Sequence, residues 1–280
     1  RHDGFSQAKY VFPGSEFMTA SMQQRREGIL VKAYQHGHVE VSTLSTELGV
    51  SEATVRRDLR NLADEGLLEL NHGGASVARG SDHSFLSKAV RNVESKRIIG
   101  QLAADMVTDG DQIFLDSGTT CYEMTRYLRS KKGLSVIVNS IRTAQELFSP
   151  GMNVVLLGGQ YRPDRLDGVG PMATASLDRL RGYRAFIGSD GLGMDFGPTA
   201  SDIESASLFG QAVQNAREAV LLVDGSKFDA PALYQIAEWP AVSTIVTDRP
   251  PDSQWQEFFQ QQGINVISPE EGLTDSQFSQ

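Results

Sequence analysis

Apolar positions along the chain change their spacing twice. After Met22, the residues Ile29, Leu30, Ala33 and Tyr34 recur at helical intervals and predict a first amphipathic helix. Val39-Glu40-Val41 leads to Ser42, a candidate N-cap for a short helix with Leu44 and Leu48 on one face, which Gly49 ends. Ser51 is a second candidate N-cap. From Glu52 onward Val55, Leu59 and Leu62 fall at i, i+4 and i+7, the buried stripe of a third helix. Beyond Gly66 the stretch from Leu67 to Val77 alternates, pauses at Gly73-Gly74 and resumes, as a β-hairpin does. Two helices separated by one tight turn form a helix-turn-helix, and the hairpin adds a wing.

The second regime begins past a polar stretch holding Gly80, Ser81, Asp82 and Ser84. A helix is expected around Ser95 to Met106. Short apolar runs then alternate with helical stretches: Gln112–Leu115, Leu134–Val138, Val154–Leu157, Ala185–Ile187, Ala219–Val223, Thr244–Val246 and Asn265–Ile267. This alternation predicts an α/β domain built on a doubly wound, mostly parallel sheet. The expected organisation is a small winged helix-turn-helix domain over 18–78, a linker over 79–94 and a larger domain over 95–280. Residues 1–17 show no sustained period and end in Gly14-Ser15-Glu16-Phe17, which looks like a cloning scar, so they read as a tag remnant before a start at Met18 or Met22.

Composition narrows the function. With 40% hydrophobic and 22% charged residues, the 280-residue chain is ordinary globular protein, and no apolar run approaches bilayer length. No membrane partner is expected. The single cysteine, Cys121, points to a reducing cytoplasm. A net charge of −9 argues against coating nucleic acid by bulk attraction, so any DNA contact must be local. His36, His38 and Cys121 lack zinc-ligand spacing, and Gly191-Leu192-Gly193 lacks the third glycine of a dinucleotide fingerprint. Neither metal nor cofactor is expected.

Two sets of residues carry candidate chemistry. On the face of the third helix opposite its apolar stripe stand Ser51, Ala53, Thr54, Arg56, Arg57 and Arg60, groups suited to base edges and phosphates in a major groove. Across Met22–Arg79, seven Lys/Arg meet eight Asp/Glu, so specificity rests on a few placed arginines. In open α/β sheets ligands bind beyond the carboxyl ends of strands. Those ends here are Asp116-Ser117-Gly118-Thr119-Thr120, Asn139-Ser140, Gly158-Gly159, Ser189-Asp190-Gly191 and Asp224-Gly225-Ser226-Lys227. Hydroxyls and backbone N–H groups of the first can wrap a phosphate, Lys227 supplies positive charge, and Asp116 and Asp190 can accept sugar hydroxyls.

The run from Val50 to Leu59, with Leu62, Gly66 and His72-Gly73-Gly74-Ala75, resembles the DeoR family of bacterial repressors. Asp116–Thr120, Asn139-Ser140, Gly158-Gly159, Asp190-Gly191, Glu204 and Ser226-Lys227-Phe228 resemble that family's effector domain, which is similar in fold to ribose-5-phosphate isomerases and glucosamine-6-phosphate deaminases. Two departures stand out: Glu69-Leu70-Asn71 precede His72 where the family commonly has an arginine, and Glu204-Ser205-Ala206 replaces a paired Glu-Glu-Ala. The resemblance implies a homodimeric or homotetrameric repressor of carbohydrate genes, binding operator DNA through the third-helix face and His72 and released by a phosphorylated sugar. The alternative is a sugar-phosphate isomerase or deaminase with Asp116, Asp190 or Glu204 as base. A metal-dependent regulator or scaffold is the weakest reading.

Overall fold

The computed structural model describes residues 20–78 and 85–269, which fall into two compact units, one up to Ser81 and the other from Asp82 onward. The expected tag remnant over 1–17, the start at Met18 and residues 79–84 lie outside the described residues.

In the first unit the order is α1 (Ala20–His36), β1 (His38–Glu40), α2 (Val41–Leu48), α3 (Glu52–Asp64), β2 (Leu68–Asn71) and β3 (Gly74–Val77). The strands form an antiparallel sheet in the order β1-β3-β2, with Val39 opposite Ala75 and Leu70 opposite the same residue. Ile29, Leu30, Val41, Leu44, Val55, Leu59, Leu62 and Leu68 close its core. Two helix ends behave as their sequences dictate: Gly49 takes a left-handed φ of 64° at the end of α2, and Ser51 caps α3 by accepting from the Thr54 N–H. The start of α2 differs from expectation. Ser42 is not its cap; the helix begins at Val41 after Glu40, which makes no side-chain cap bond. The reason is that the Val41 amide is already met by the Gly73 carbonyl of the wing turn at 2.9 Å. The paired wing glycines have separate causes. Gly73 sits at φ 84°, whereas a Cβ on Gly74 would lie 2.0 Å from the Val39 carbonyl oxygen.

In the second unit α4 (Phe85–Ala89) and α5 (Val93–Asp105) come first, so 85–94 is folded helix and turn within this unit where the polar composition suggested linker. There follow β4 (Gln112–Leu115), α6 (Thr119–Glu123), α7 (Thr125–Leu128), β5 (Ser135–Val138), α8 (Ile141–Glu146), β6 (Asn153–Leu156), β7 (Gln160–Arg162), β8 (Asp167–Val169), α9 (Pro171–Leu177) and β9 (Arg184–Gly188). The chain continues with β10 (Gly191–Gly193), β11 (Gly197–Ala200), α10 (Ile203–Asn215), β12 (Glu218–Leu222), β13 (Tyr234–Gln235), β14 (Thr244–Val246), α11 (Ser253–Gln262) and β15 (Asn265–Ile267). All seven expected strands join one sheet, ordered β15-β14-β12-β9-β4-β5-β6, and every pairing in it is parallel.

Alternation along β4 shows why the sheet is covered on both faces. Ile113 and Leu115 pack with Ile99, Ala103 and Met124, while Phe114 between them packs with Ala173, Tyr183 and Phe209. Under α11 a third cluster joins Leu221, Val223 and Ile245 to Trp239, Trp255 and Phe259. From β4 the chain winds outward through β5 and β6, then returns to β9 on the other side of β4 and continues to β12, β14 and β15. The winding direction therefore reverses between β4 and β9. A ligand crevice belongs at the carboxyl ends of those two strands.

Candidate functional site

At that switch point the second unit holds a cavity of about 320 Å³. The carboxyl ends of three neighbouring strands supply its floor: Asp116 to Thr120 after β4, Gly188 to Asp190 at the end of β9, and Asp224, Ser226 and Lys227 after β12. Phe85, Lys88, Arg91, Asn92 and Lys96 come from α4, α5 and the turn joining them, and Arg165 and Ser205 complete the polar wall.

The three aspartates are fixed by the protein itself. Asp116 is buried, and its carboxylate oxygens accept from the Gly118 N–H at 2.7 Å and the Gly188 N–H at 2.5 Å, tying the ends of β4 and β9 together. Burial raises its pKa against the opposing pull of the Cys121 thiol and those two amides. Gly118 is required by this contact, since a Cβ there would approach the Asp116 Oδ1 to 2.9 Å. Burial also acts to raise Asp190, but the Lys88 ammonium at 2.5 Å and the Ser201 N–H at 2.9 Å outweigh it and hold the pKa at about 2. Asp224 accepts from the Ser226 amide at 2.9 Å, from the Ser226 hydroxyl at 2.5 Å and from the Asn92 amide nitrogen at 3.1 Å.

The bases are held by the protein as well. Lys96 is 5% exposed, and its ammonium donates to the carbonyls of Lys88 and Arg91, pinning the α4–α5 turn. Burial lowers its pKa to about 8 despite the charge of Asp224. Arg165 pairs with Asp202 at 2.7 Å. Behind the floor, Asp167 is buried and holds both the Arg162 guanidinium, at 2.8 and 2.6 Å, and the Ser117 hydroxyl at 2.8 Å.

Of the residues singled out from the sequence, Asp116, Ser117, Gly118, Thr119, Thr120, Ser189, Asp190, Asp224, Ser226 and Lys227 line the cavity. Asn139, Ser140, Gly158, Gly159, Gly191 and Glu204 do not. Asn139 is fully buried and donates to Ser117 and the Gly168 carbonyl, and Ser140 caps α8 through the Thr143 N–H. Gly159 packs against the Val169 carbonyl, where a Cβ would fall at 2.4 Å, and Gly191 against that of Ala230 at 1.7 Å. Where the family pattern has its second acid, Ser205 accepts from Arg162 and Arg165. Lys88, Arg91, Asn92 and Arg165 carried no signal in the sequence, because their turn and hairpin sit far along the chain from the strand ends they meet.

In the first unit Ser51, Ala53, Arg56, Arg57 and Arg60 are exposed and Thr54 is half-buried on α3, and His72 is exposed at the wing tip. Arg56 bonds Glu52 one turn earlier at 2.7 Å. The opposite face holds Asp58, which is buried and bonded by Arg25 of α1 at 2.6 Å. That ion pair fixes α3 on α1 and leaves the arginine face outward.

A winged helix-turn-helix with an outward arginine face, carried on the same chain as a doubly wound α/β unit with a polar switch-point cavity, defines a two-unit transcription regulator. The DeoR-like helix-turn-helix domain matches residues 25–80, and the DeoR C terminal sensor domain matches residues 91–249. The HTH-type transcriptional regulator GlpR of Haloferax volcanii is 33% identical over 229 residues, covering 81% of this chain and 90% of that protein. The HTH-type transcriptional repressor CsqR of Escherichia coli is 31% identical over 254 residues, covering 88% and 95%. The glycerol-3-phosphate regulon repressor of Escherichia coli is 29% identical over 233 residues, covering 81% and 91%. The chain belongs to the DeoR family of transcriptional regulators. Among the described residues no helix is long and apolar enough to cross a membrane, and no group of three or more His, Cys, Asp or Glu is placed to hold a metal.

Proposed function

We propose that the protein is a repressor of a carbohydrate-use operon, released from its operator when a phosphorylated sugar fills the switch-point cavity. The observation that carries this reading is the charge balance of the cavity wall. Five basic residues, Lys88, Arg91, Lys96, Arg165 and Lys227, stand against the three aspartates of the lining and Asp202, which pairs with Arg165, and each lining aspartate already accepts from backbone or side-chain donors of the protein. An anion entering this wall meets surplus positive charge together with the hydroxyls of Thr119 and Thr120. A phosphate ester suits it better than a neutral sugar. Two of the relatives, CsqR and the glycerol-3-phosphate regulon repressor, are repressors by name, which supports repression.

The same wall disfavours an isomerase or deaminase. A general base needs a free carboxylate with a pKa near the working pH. Asp116 has both oxygens engaged, the burial of Asp190 is outweighed by Lys88, which holds it at about 2, and Glu204 lies outside the cavity lining.

On the DNA side, α3 offers short polar groups at its start and guanidinium groups further along, and Ser51, Ala53, Thr54, Arg56, Arg57, Arg60 and, from the wing, His72 are the proposed contacts. Two such readers are needed to meet paired half-sites, so a homodimer or a homotetramer is the working assembly, in the cytoplasm. Release requires that the effector bind the DNA-free arrangement more tightly than the DNA-bound one, because equal affinity shifts nothing. The test is fluorescence anisotropy of labelled operator DNA titrated with phosphorylated sugars and with their unphosphorylated parents. Release by at least one phosphorylated member and not by its parent is the expected result; release by parents alone would refute the proposal.

A further inference from the structure

The hydroxyl groups around the cavity are not equivalent, and their hydrogen-bond partners decide which way each proton points. Ser226 gives its proton to Asp224 at 2.5 Å. Ser189 bonds the carbonyls of Gly191 and Thr199 and accepts from the amides of the same two residues, so it is saturated. Ser117 is the informative case. It lines the cavity, yet its Oγ lies 2.8 Å from the Oδ2 of Asp167, a fully buried carboxylate. The Arg162 guanidinium grips both oxygens of that carboxylate, at 2.8 Å from Nε and 2.6 Å from Nη2. A carboxylate facing an arginine fork is ionised and accepts only, so the Ser117 hydroxyl must be the donor.

The other neighbour of Ser117 agrees with this direction. Asn139 approaches Ser117 Oγ at 3.4 Å and the Gly168 carbonyl at 3.2 Å with the same amide end. Gly168 can only accept through that oxygen, so this end is the NH₂ group and Ser117 accepts from it. The Asn139 carbonyl oxygen is left buried with no partner among the described residues, at a cost that shows the amide is not arranged for its own satisfaction. Ser117 thus has its proton committed to Asp167 and, beyond the bond from Asn139, one lone pair with no partner among the described residues.

We propose that Ser117 is a specificity residue that accepts a hydrogen bond from a hydroxyl of the ligand, and that Asp167, held by Arg162, is the positioning residue that fixes this polarity. This rests on the reading of the cavity as a sugar-phosphate site. It divides the loop 116–120: Thr119 and Thr120, with Lys227, serve the anion, while Ser117 serves the polyol part. A phosphate oxygen, which is an acceptor, is turned away at Ser117 and a sugar hydroxyl is admitted.

Two measurements decide the matter. In a neutron crystal structure of the deuterium-exchanged full chain, the Ser117 deuteron is expected on the line to Asp167 Oδ2; a deuteron directed into the cavity overturns the proposal whether or not any sugar phosphate binds. Calorimetric titrations of the full chain then compare inorganic phosphate, ethyl phosphate and a set of pentose and hexose phosphates. Ser117→Ala is expected to weaken the best sugar phosphate about tenfold, the scale of one hydrogen bond, with inorganic and ethyl phosphate unchanged. Asp167→Ala removes the acceptor of the Ser117 proton and frees it to turn inward, while Arg162 keeps its bond to Asp202 at 2.9 Å, so it should weaken the sugar phosphate while sparing or strengthening inorganic phosphate, a split that loss of packing alone would not produce. Equal weakening of all probes in Ser117→Ala would return Ser117 to the anion site and overturn the proposal. No binding by any phosphorylated probe would instead refute the sugar-phosphate reading, and the ligand role of Ser117 would fall with it.

Discussion

The two polar surfaces of this protein are built by opposite means. On α3 the proposed contact residues lie within ten positions of one another, Ser51 to Arg60, on the face opposite Asp58, which is bound to Arg25. The cavity instead draws on segments from Phe85 to Ile236, and its three aspartates are already engaged with protein donors. A face that meets a large polyanion needs charges held apart and open. A pocket that selects a small molecule needs each donor and acceptor fixed beforehand, since an ordered site loses less entropy on binding.

Substitutions can break this contrast from either side. The largest expected effect is on the reader's foundation: Arg25→Ala leaves the buried Asp58 with only the longer contact from Arg26, at 3.4 Å, costing about 3 kcal/mol of first-unit stability. Thermal unfolding should show it, with ligand affinity at the cavity unchanged.

Next is a pH effect confined to the second unit. The folded pKa of Lys96 is about 8 and its ordinary value is 10.5, so below pH 8 it is charged in both states and the fold bears the cost of burying that charge. As pH rises from 8 toward 10.5 the unfolded chain holds more protons, and stability from this group increases by up to about 3 kcal/mol. Chemical denaturation should show wild type gaining on Lys96→Met across that window. A flat difference between the two would remove Lys96 as a buried charge.

Lys227→Ala should weaken a phosphorylated sugar by about 1.5–3 kcal/mol, the worth of a hydrogen bond to a charged group, while its unphosphorylated parent is little affected. Arg57→Ala and Arg60→Ala should each cost about 1–3 kcal/mol of operator affinity where the contact is to a base, and lower the salt slope by about one where it is to a phosphate. Anisotropy titrations at several salt concentrations separate those cases. Both variants should keep the second unit's unfolding transition.

The same contrast explains what the sequence made legible. Periodicity located all seven strands, because parallel strands buried on both faces are short apolar runs bounded by turns, and it located α3 from the spacing of Val55, Leu59 and Leu62. Strand ends such as Asp116–Thr120, Asp190 and Lys227 were readable for the same reason. Lys88 and Asn92 were not: a polar stretch after the wing reads as linker, and only the fold reveals that Lys88 reaches Asp190 and Asn92 reaches Asp224. Asp167 and Arg162 were equally silent, being a buried acid and its half-buried partner on a short hairpin with no apolar pattern to mark it. The α2 cap failed locally for a nonlocal reason, the Gly73 carbonyl that meets the Val41 amide.

A phosphorylated sugar in the switch-point cavity is proposed to control the hold of α3 on DNA. The most direct test of this is operator release measured for wild type and Lys227→Ala over one set of phosphorylated sugars and their parents. The account predicts release of wild type by a phosphorylated sugar and not by its parent, with Lys227→Ala needing at least about tenfold more of the same compound. Release at equal concentrations for wild type and Lys227→Ala, or equally by a sugar and its phosphate, would contradict it.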